Sequence, residues 1–244
     1  IGGEAAYDIA FSHPDVFAGV AGISGGMNKY VYSSRTNIYP PLCAYCVVGQ
    51  KDTATIGSSL LVWNDWLGKS RYNKCIVVQY IGRLAEPFPE EQPSLLRWAQ
   101  FQRRFWPARG DDVEIECEAL RSWENRYWFF ELSGLPRDRL MLPEEWRDVD
   151  KPNPVVLSAK RQASQVNLFS LGPGQGVGDS ATLWLSGDFV DFDQEVEIRG
   201  RGKFRDFVLP SRKTLLEDVR QRGDRGHPYW ARVIEVGRDW QVVE

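Results

Sequence analysis

Proton transfer near neutral pH calls for an imidazole, and the 244 residues contain two, His13 and His227. His13 lies in His13-Pro14-Asp15, where the plainer role is a turn that ends a helix. His227 lies in Gly226-His227-Pro228, the setting of a surface turn. Among carboxylates, Asp52 stands out. It closes Gly49-Gln50-Lys51-Asp52, directly after the apolar run Cys43 to Val48. A carboxylate at a strand end is placed to orient a base at the ligand side of an open sheet. It is equally placed to cap the helix that follows.

Other groupings carry weaker chemistry. Cys43-x-x-Cys46 has a redox spacing, with Cys75 and Cys117 making four cysteines. On a strand, residues three apart face opposite sides, so buried thiols are expected. Two histidines do not furnish a His-rich metal site. Asp188, Asp191, Asp193 and Glu195 lack EF-hand spacing and suit a solvated strand edge. Gly172 to Asp179 is glycine-rich but fails the dinucleotide fingerprint, and a hairpin loop is expected. No cofactor and no metal are expected. A net charge of −3 argues against nucleic acid as a partner. No run of 18 apolar residues occurs, so no membrane span is expected. An apolar fraction of 43% with 10 Trp is ample for a packed core.

The elements that must hold these residues follow from periodicity. Gly2 to Ser12 reads as a helix of small residues, stopped by Pro14. Phe17 to Ile23, Cys43 to Val48 and Cys75 to Ile81 read as buried parallel strands. Ile56 to Leu67 is a helix with Ile56, Leu60, Trp63 and Leu67 inward. Ser94 to Phe105 is a second, with Leu95, Trp98, Ala99, Phe101 and Phe105 inward. This order suits a helix-covered parallel sheet. Beyond Pro107 the period changes to two. Val113, Ile115, Cys117 and Ala119 alternate with glutamates, and Tyr127 to Leu132 reads as the partner strand. Leu135 to Asn153 reads as a linker. Short strands are expected at 155–159, 165–171, 182–186, 195–199, 203–209 and 230–236, with one helix at 215–222. Such spacing suggests a sandwich or small barrel.

The opening residues carry a resemblance. Ile1-Gly2-Gly3, a small-residue helix, His13-Pro14-Asp15 and Phe17-Ala18-Gly19-Val20 resemble the second half of the nucleophile elbow in α/β-hydrolases of the esterase and peptidase type, prolyl-oligopeptidase or carboxylesterase-like. The resemblance covers residues 1 to 107. It implies that the nucleophile precedes Ile1, that the chain is a fragment, and that Gly2 and Gly3 close the elbow. It makes the Ile1 backbone N–H an oxyanion-hole donor and Asp52 the triad acid. The family's histidine position, in a pattern close to Y-x-G-x-G-H, matches Tyr80 to Ala85, so Ala85 stands where the base belongs. Glu86 is adjacent, but an ordinary carboxylate is a weak base for a serine hydroxyl.

The expected fold is therefore α/β: residues 1–110 as the C-terminal part of an α/β-hydrolase parallel sheet, and 111–244 as an all-β, sandwich-like accessory domain. The expected function is that of a serine hydrolase of esterase or peptidase lineage, acting on a small ester, amide or peptide ligand, and impaired by Ala85. The alternative is a non-catalytic relative that binds a ligand or surface. A serine before Ile1 favours the first; glycine or alanine there favours the second.

Overall fold

The structure is a computed structural model that describes residues 2–27, 42–69, 74–107, 112–142, 153–162, 165–171 and 180–243. The chain divides into two compact units. One is Ile1–Phe105 with Pro143–Pro154, the other Trp106–Leu142 with Val155–Glu244. The division thus falls at 105/106 rather than 110/111, and 143–154 is assigned to the first unit. Helices and strands are mixed: the first unit has a three-stranded parallel sheet, the second two five-stranded sheets.

In the first unit, α1 (Gly2–Ser12) precedes β1 (Gly19–Ile23). Next come β2 (Cys43–Gly49), α2 (Thr53–Lys69), β3 (Cys75–Tyr80) and α3 (Gln92–Gln100). The sheet order is β1-β2-β3, all parallel. All seven residues of β2 are buried, because it is the central strand and both of its faces are covered. Alternation sends Ala44, Cys46 and Val48 to one face, where they meet Tyr7, Phe11, Trp63 and Trp66 of α1 and α2. Tyr45 and Val47 face the other side, with Phe88, Leu95 and Trp98. Cys43, Cys46 and Cys75 are free and buried, as is Cys117 in the second unit.

Three expectations about faces need correction. The inward stripe of α2 is Thr55, Ser59, Val62, Trp63 and Trp66, whereas Leu60 and Leu67 are each 50% exposed. Hydrophobicity alone misplaced the face by part of a turn, because small polar residues fill the close contact: Ser59 Oγ accepts from the Met27 N–H at 3.2 Å. The second helix runs Gln92–Gln100, not to Phe105, and Phe101 is 74% exposed. The first strand starts at Gly19, leaving Phe17 partly exposed.

In the second unit, one sheet has the order β11-β10-β8-β7-β4 and the other β13-β12-β9-β6-β5. The first contains β4 (Val113–Ala119), β7 (Val155–Gln162), β8 (Gln165–Leu171), β10 (Val196–Arg199) and β11 (Lys203–Asp206). Its pairs are antiparallel except β8 with β10. The second sheet is antiparallel throughout and contains β5 (Arg126–Tyr127), β6 (Phe130–Ser133), β9 (Ser180–Leu185), β12 (Ala231–Val236) and β13 (Asp239–Val243). Residues 127–132 do not partner β4. Trp128 takes φ 45°, which breaks the run into a tight hairpin that joins the other sheet, and β7 pairs with β4 instead. α4 (Arg212–Arg222) starts three residues before the expected helix. The Ser211 hydroxyl caps the Thr214 N–H, and Gly223 at φ 67° ends it. The glycine-rich stretch 172–179 and most of the connection 26–41 lie outside the described residues.

Candidate functional site

Four segments of the first unit converge on the C-terminal end of its sheet. The first turn of α1 is one. Gly3 packs so closely on the residues after β1 that a Cβ there would lie 2.7 Å from Gly25 Cα and 3.0 Å from the Ile23 carbonyl oxygen. Gly22 allows the Tyr7 ring a similar approach. Gly2 meets nothing within 4 Å of an added Cβ, so the close fit depends on Gly3. The N-terminal end of α1 therefore lies at the strand ends, where a helix favours negative charge. Ile1, the expected oxyanion donor, lies outside the described residues.

The second segment is Ser24, at φ 49° directly after β1. Its N–H donates to the Val47 carbonyl at 2.9 Å. Its hydroxyl donates to the Glu86 carbonyl at 2.9 Å and accepts from the Glu86 N–H at 3.1 Å. Sequence reasoning missed this residue. The signal was present, because Gly22-Ile23-Ser24-Gly25-Gly26 has G-x-S-x-G spacing and strand-end serines in such turns are strained. Here the hydroxyl acts as a fastener between β1 and the segment after β3.

The third and fourth segments are Gly49 to Asp52 and Gly82 to Glu86. Gln50 N–H donates to the Tyr80 carbonyl at 2.9 Å, and Lys51 N–H to the Arg83 carbonyl at 2.8 Å. Gly82 N–H donates to Gln50 Oε1 at 2.9 Å. The later segment crosses so near the end of β2 that a Cβ on Gly49 would lie 2.2 Å from the Leu84 carbonyl oxygen. Ala85 is thus held between two anchors: Arg83, bonded to the residue before Asp52, and Glu86, bonded to Ser24. It is exposed.

Asp52 fills one of the two roles open to it, that of the helix cap. Oδ1 accepts from the Thr55 N–H at 3.2 Å and caps α2. Oδ2 is buried and has no hydrogen-bond partner among the described residues. Neither histidine bonds to it. His13 sits at the other end of α1 from Gly3, roughly 15 Å along the axis at ~1.5 Å per residue. His227 belongs to the second unit, where Nδ1 faces Asp188 at 3.5 Å and the ring stacks on Trp106 at 4.4 Å. Glu86 is no substitute base. The Arg83 guanidinium, 2.5 Å away, holds its carboxyl below the usual range.

A buried carboxylate underpins the segment after β3. Glu91 accepts from the Tyr45 hydroxyl on one oxygen and from the Tyr80 hydroxyl at 2.7 Å on the other. Phe88, at φ 45° and fully buried, stacks on Tyr80 at 4.7 Å. The hydrogen bond from Tyr45 holds the Glu91 carboxyl below the usual range, with burial opposing and Tyr80 and Ser94 assisting. Burial, with Glu91 beside it, pushes the Tyr45 hydroxyl up to about 12. A carboxylate so depressed stabilises the fold above its unfolded pKa, and that contribution fades as pH falls through the folded one. Glu91→Gln is expected to lower stability by about 1–2 kcal/mol at pH 7. The gap from wild type should shrink below about pH 4, where the unfolded carboxyl protonates. Urea melts across pH check this; a gap that does not change with pH would refute it.

Among the described residues, no group of three or more His, Cys, Asp or Glu side chains is placed to hold a metal ion. No described helix is long and apolar enough to cross a membrane. Comparisons with protein-family models, with curated proteins and with solved structures return no match to this chain.

Proposed function

We propose that the first unit is the strand-end half of a serine-hydrolase site of α/β-hydrolase lineage, built for carboxylic esters or amides and lacking its base. The observation that carries this is the Lys51-to-Arg83 hydrogen bond, which sets the segments of Asp52 and Ala85 side by side at the end of the sheet, with one buried Asp52 oxygen lacking a donor among the described residues. In a triad, that oxygen receives the Nδ1–H of a histidine, which fixes the tautomer and stabilises the imidazolium. With a methyl group at position 85, nothing there accepts the nucleophile's proton. Donors at the start of α1 still favour a carbonyl or carboxylate oxygen. The site then retains binding while turnover falls, and the residual rate of about 10³–10⁴-fold over water is what oxyanion and binding terms alone sustain. The second reading, a module that only binds its ligand, draws on the Arg83–Glu86 ion pair, which occupies the nearest alternative base.

Ala85→His tests the placement directly. By ¹⁵N NMR the introduced imidazole is expected to titrate about one unit above an ordinary histidine, because a carboxylate within reach favours its charged form. Adding Asp52→Asn should return it to the ordinary value. An imidazole indifferent to Asp52→Asn would remove the support for a hydrolase-type dyad.

A further inference from the structure

The second unit carries a cleft of about 580 Å³ between α4 and the β9–β12 pair. Lys213, Leu216, Glu217 and Arg220 line it from α4. Their spacing of three, four and seven residues places them on one helix face. Arg232 and Trp184 line it from the sheet, where they are directly paired across strands. Arg232 lies over the Trp184 ring at 5.2 Å.

Three cations line this cleft against one carboxylate, and that carboxylate is already engaged. Glu217 accepts from Arg220 at 2.6 and 3.0 Å and from Gln221 at 2.7 Å. Those bonds, with Arg232 nearby, hold its carboxyl at about 2, so it stays ionised. Arg232 has no ion pair among the described residues, and its Nε is buried without an acceptor. Arg126, on the same indole at 4.1 Å, is bound to Asp218, and Glu131 takes the indole N–H at 2.9 Å. Among the described residues Arg126 also keeps an Nε without an acceptor, but its charge is met by Asp218, whereas no ion pair meets that of Arg232. The first turn of α4, at Lys213, adds the positive end of an 11-residue helix.

We infer that this cleft binds an organic carboxylate, with Arg232 and Lys213 taking the anion and Leu216 and Trp184 flanking its apolar body. Leu216 is 69% exposed and offers an apolar wall beside the cations. The volume lies in the range of small-ligand pockets, larger than a bare inorganic ion requires. An arginine fork matches a carboxylate in its plane.

Calorimetry and ¹H–¹⁵N NMR on the full chain with benzoate, inorganic phosphate and benzyl alcohol test this. Benzoate should bind saturably, at least tenfold more tightly than either comparison ligand, and shift the Lys213 and Arg232 amides and the Trp184 indole. Arg232→Gln should weaken benzoate at least tenfold. Lys213→Gln, on an exposed position that cannot endanger the core, should weaken it about threefold. Phosphate binding as tightly as benzoate would overturn the organic-carboxylate assignment. Benzyl alcohol binding as tightly would overturn the role of charge. No benzoate binding, or affinity unchanged in both variants, would overturn the site itself.

Discussion

Asp218→Ala is expected to destabilise the second unit by about 3–5 kcal/mol, the cost of breaking a buried ion-pair network by removing its central carboxylate. Asp218 is completely buried in α4. One oxygen accepts from Arg126 Nη2 at 2.9 Å and Arg222 Nε at 2.7 Å. The other accepts from Arg222 Nη2 at 2.6 Å and the Tyr229 N–H at 3.0 Å. Every direction in which the carboxylate can accept is used. Removing it strands the Arg126 guanidinium and one buried N–H and leaves Arg222 only the longer ion pair with Asp224 at 3.4 Å, the two arginine side chains being each only 17% exposed. Arg222 also donates to the His227 carbonyl at 2.7 Å, so the loss reaches the turn before β12. Asp218→Asn keeps the shape but removes the charge, and should recover only part of the difference. Urea denaturation followed by tryptophan fluorescence reads both variants. A loss under about 1 kcal/mol for Asp218→Ala would mean that the network relaxes freely and that α4 is held by apolar contacts instead.

Gly49→Ala is the change with the largest expected effect on the strand-end site. The added carbon would lie 2.2 Å from the Leu84 oxygen and 2.5 Å from the Arg83 oxygen. Both obstacles are backbone, so no side chain can swing aside. The segment carrying Ala85 must lift, and the Lys51-to-Arg83 hydrogen bond lengthens or breaks. Overpacking of this kind costs about 1–3 kcal/mol. The more telling readout is local: faster amide hydrogen exchange at Lys51 and Glu86, with the centre of β2 still protected. In an Ala85→His background, Gly49→Ala should also abolish the influence of Asp52 on the imidazole. Exchange at Lys51 and Glu86 no faster than wild type would show that the two segments are not coupled through Gly49.

Both cases show which relations a one-dimensional reading can reach. The apolar run 43–48 and the alternation 113–119 became strands with the expected burial, because pleating repeats every two residues whatever surrounds it. Pro14 ended α1 for an equally local reason. The glycine at position 49 was legible as part of a pattern before Asp52. That it is needed because another segment crosses it was not, since Leu84 is 35 residues away. β13 was missed, as its five residues, Asp239–Val243, have little period of their own and are held by the register with β12.

Local stereochemistry along the chain therefore set the strands, the helices and the alternation from which they are built. Packing set the rest: the face α2 turns inward, the diversion of 126–133 into the other sheet, the bond that joins Lys51 to Arg83, and the pairing of Arg232 with Trp184. Those relations join residues far apart in sequence. They depend on shape, register and the satisfaction of buried polar groups, which emerge only when the chain closes on itself.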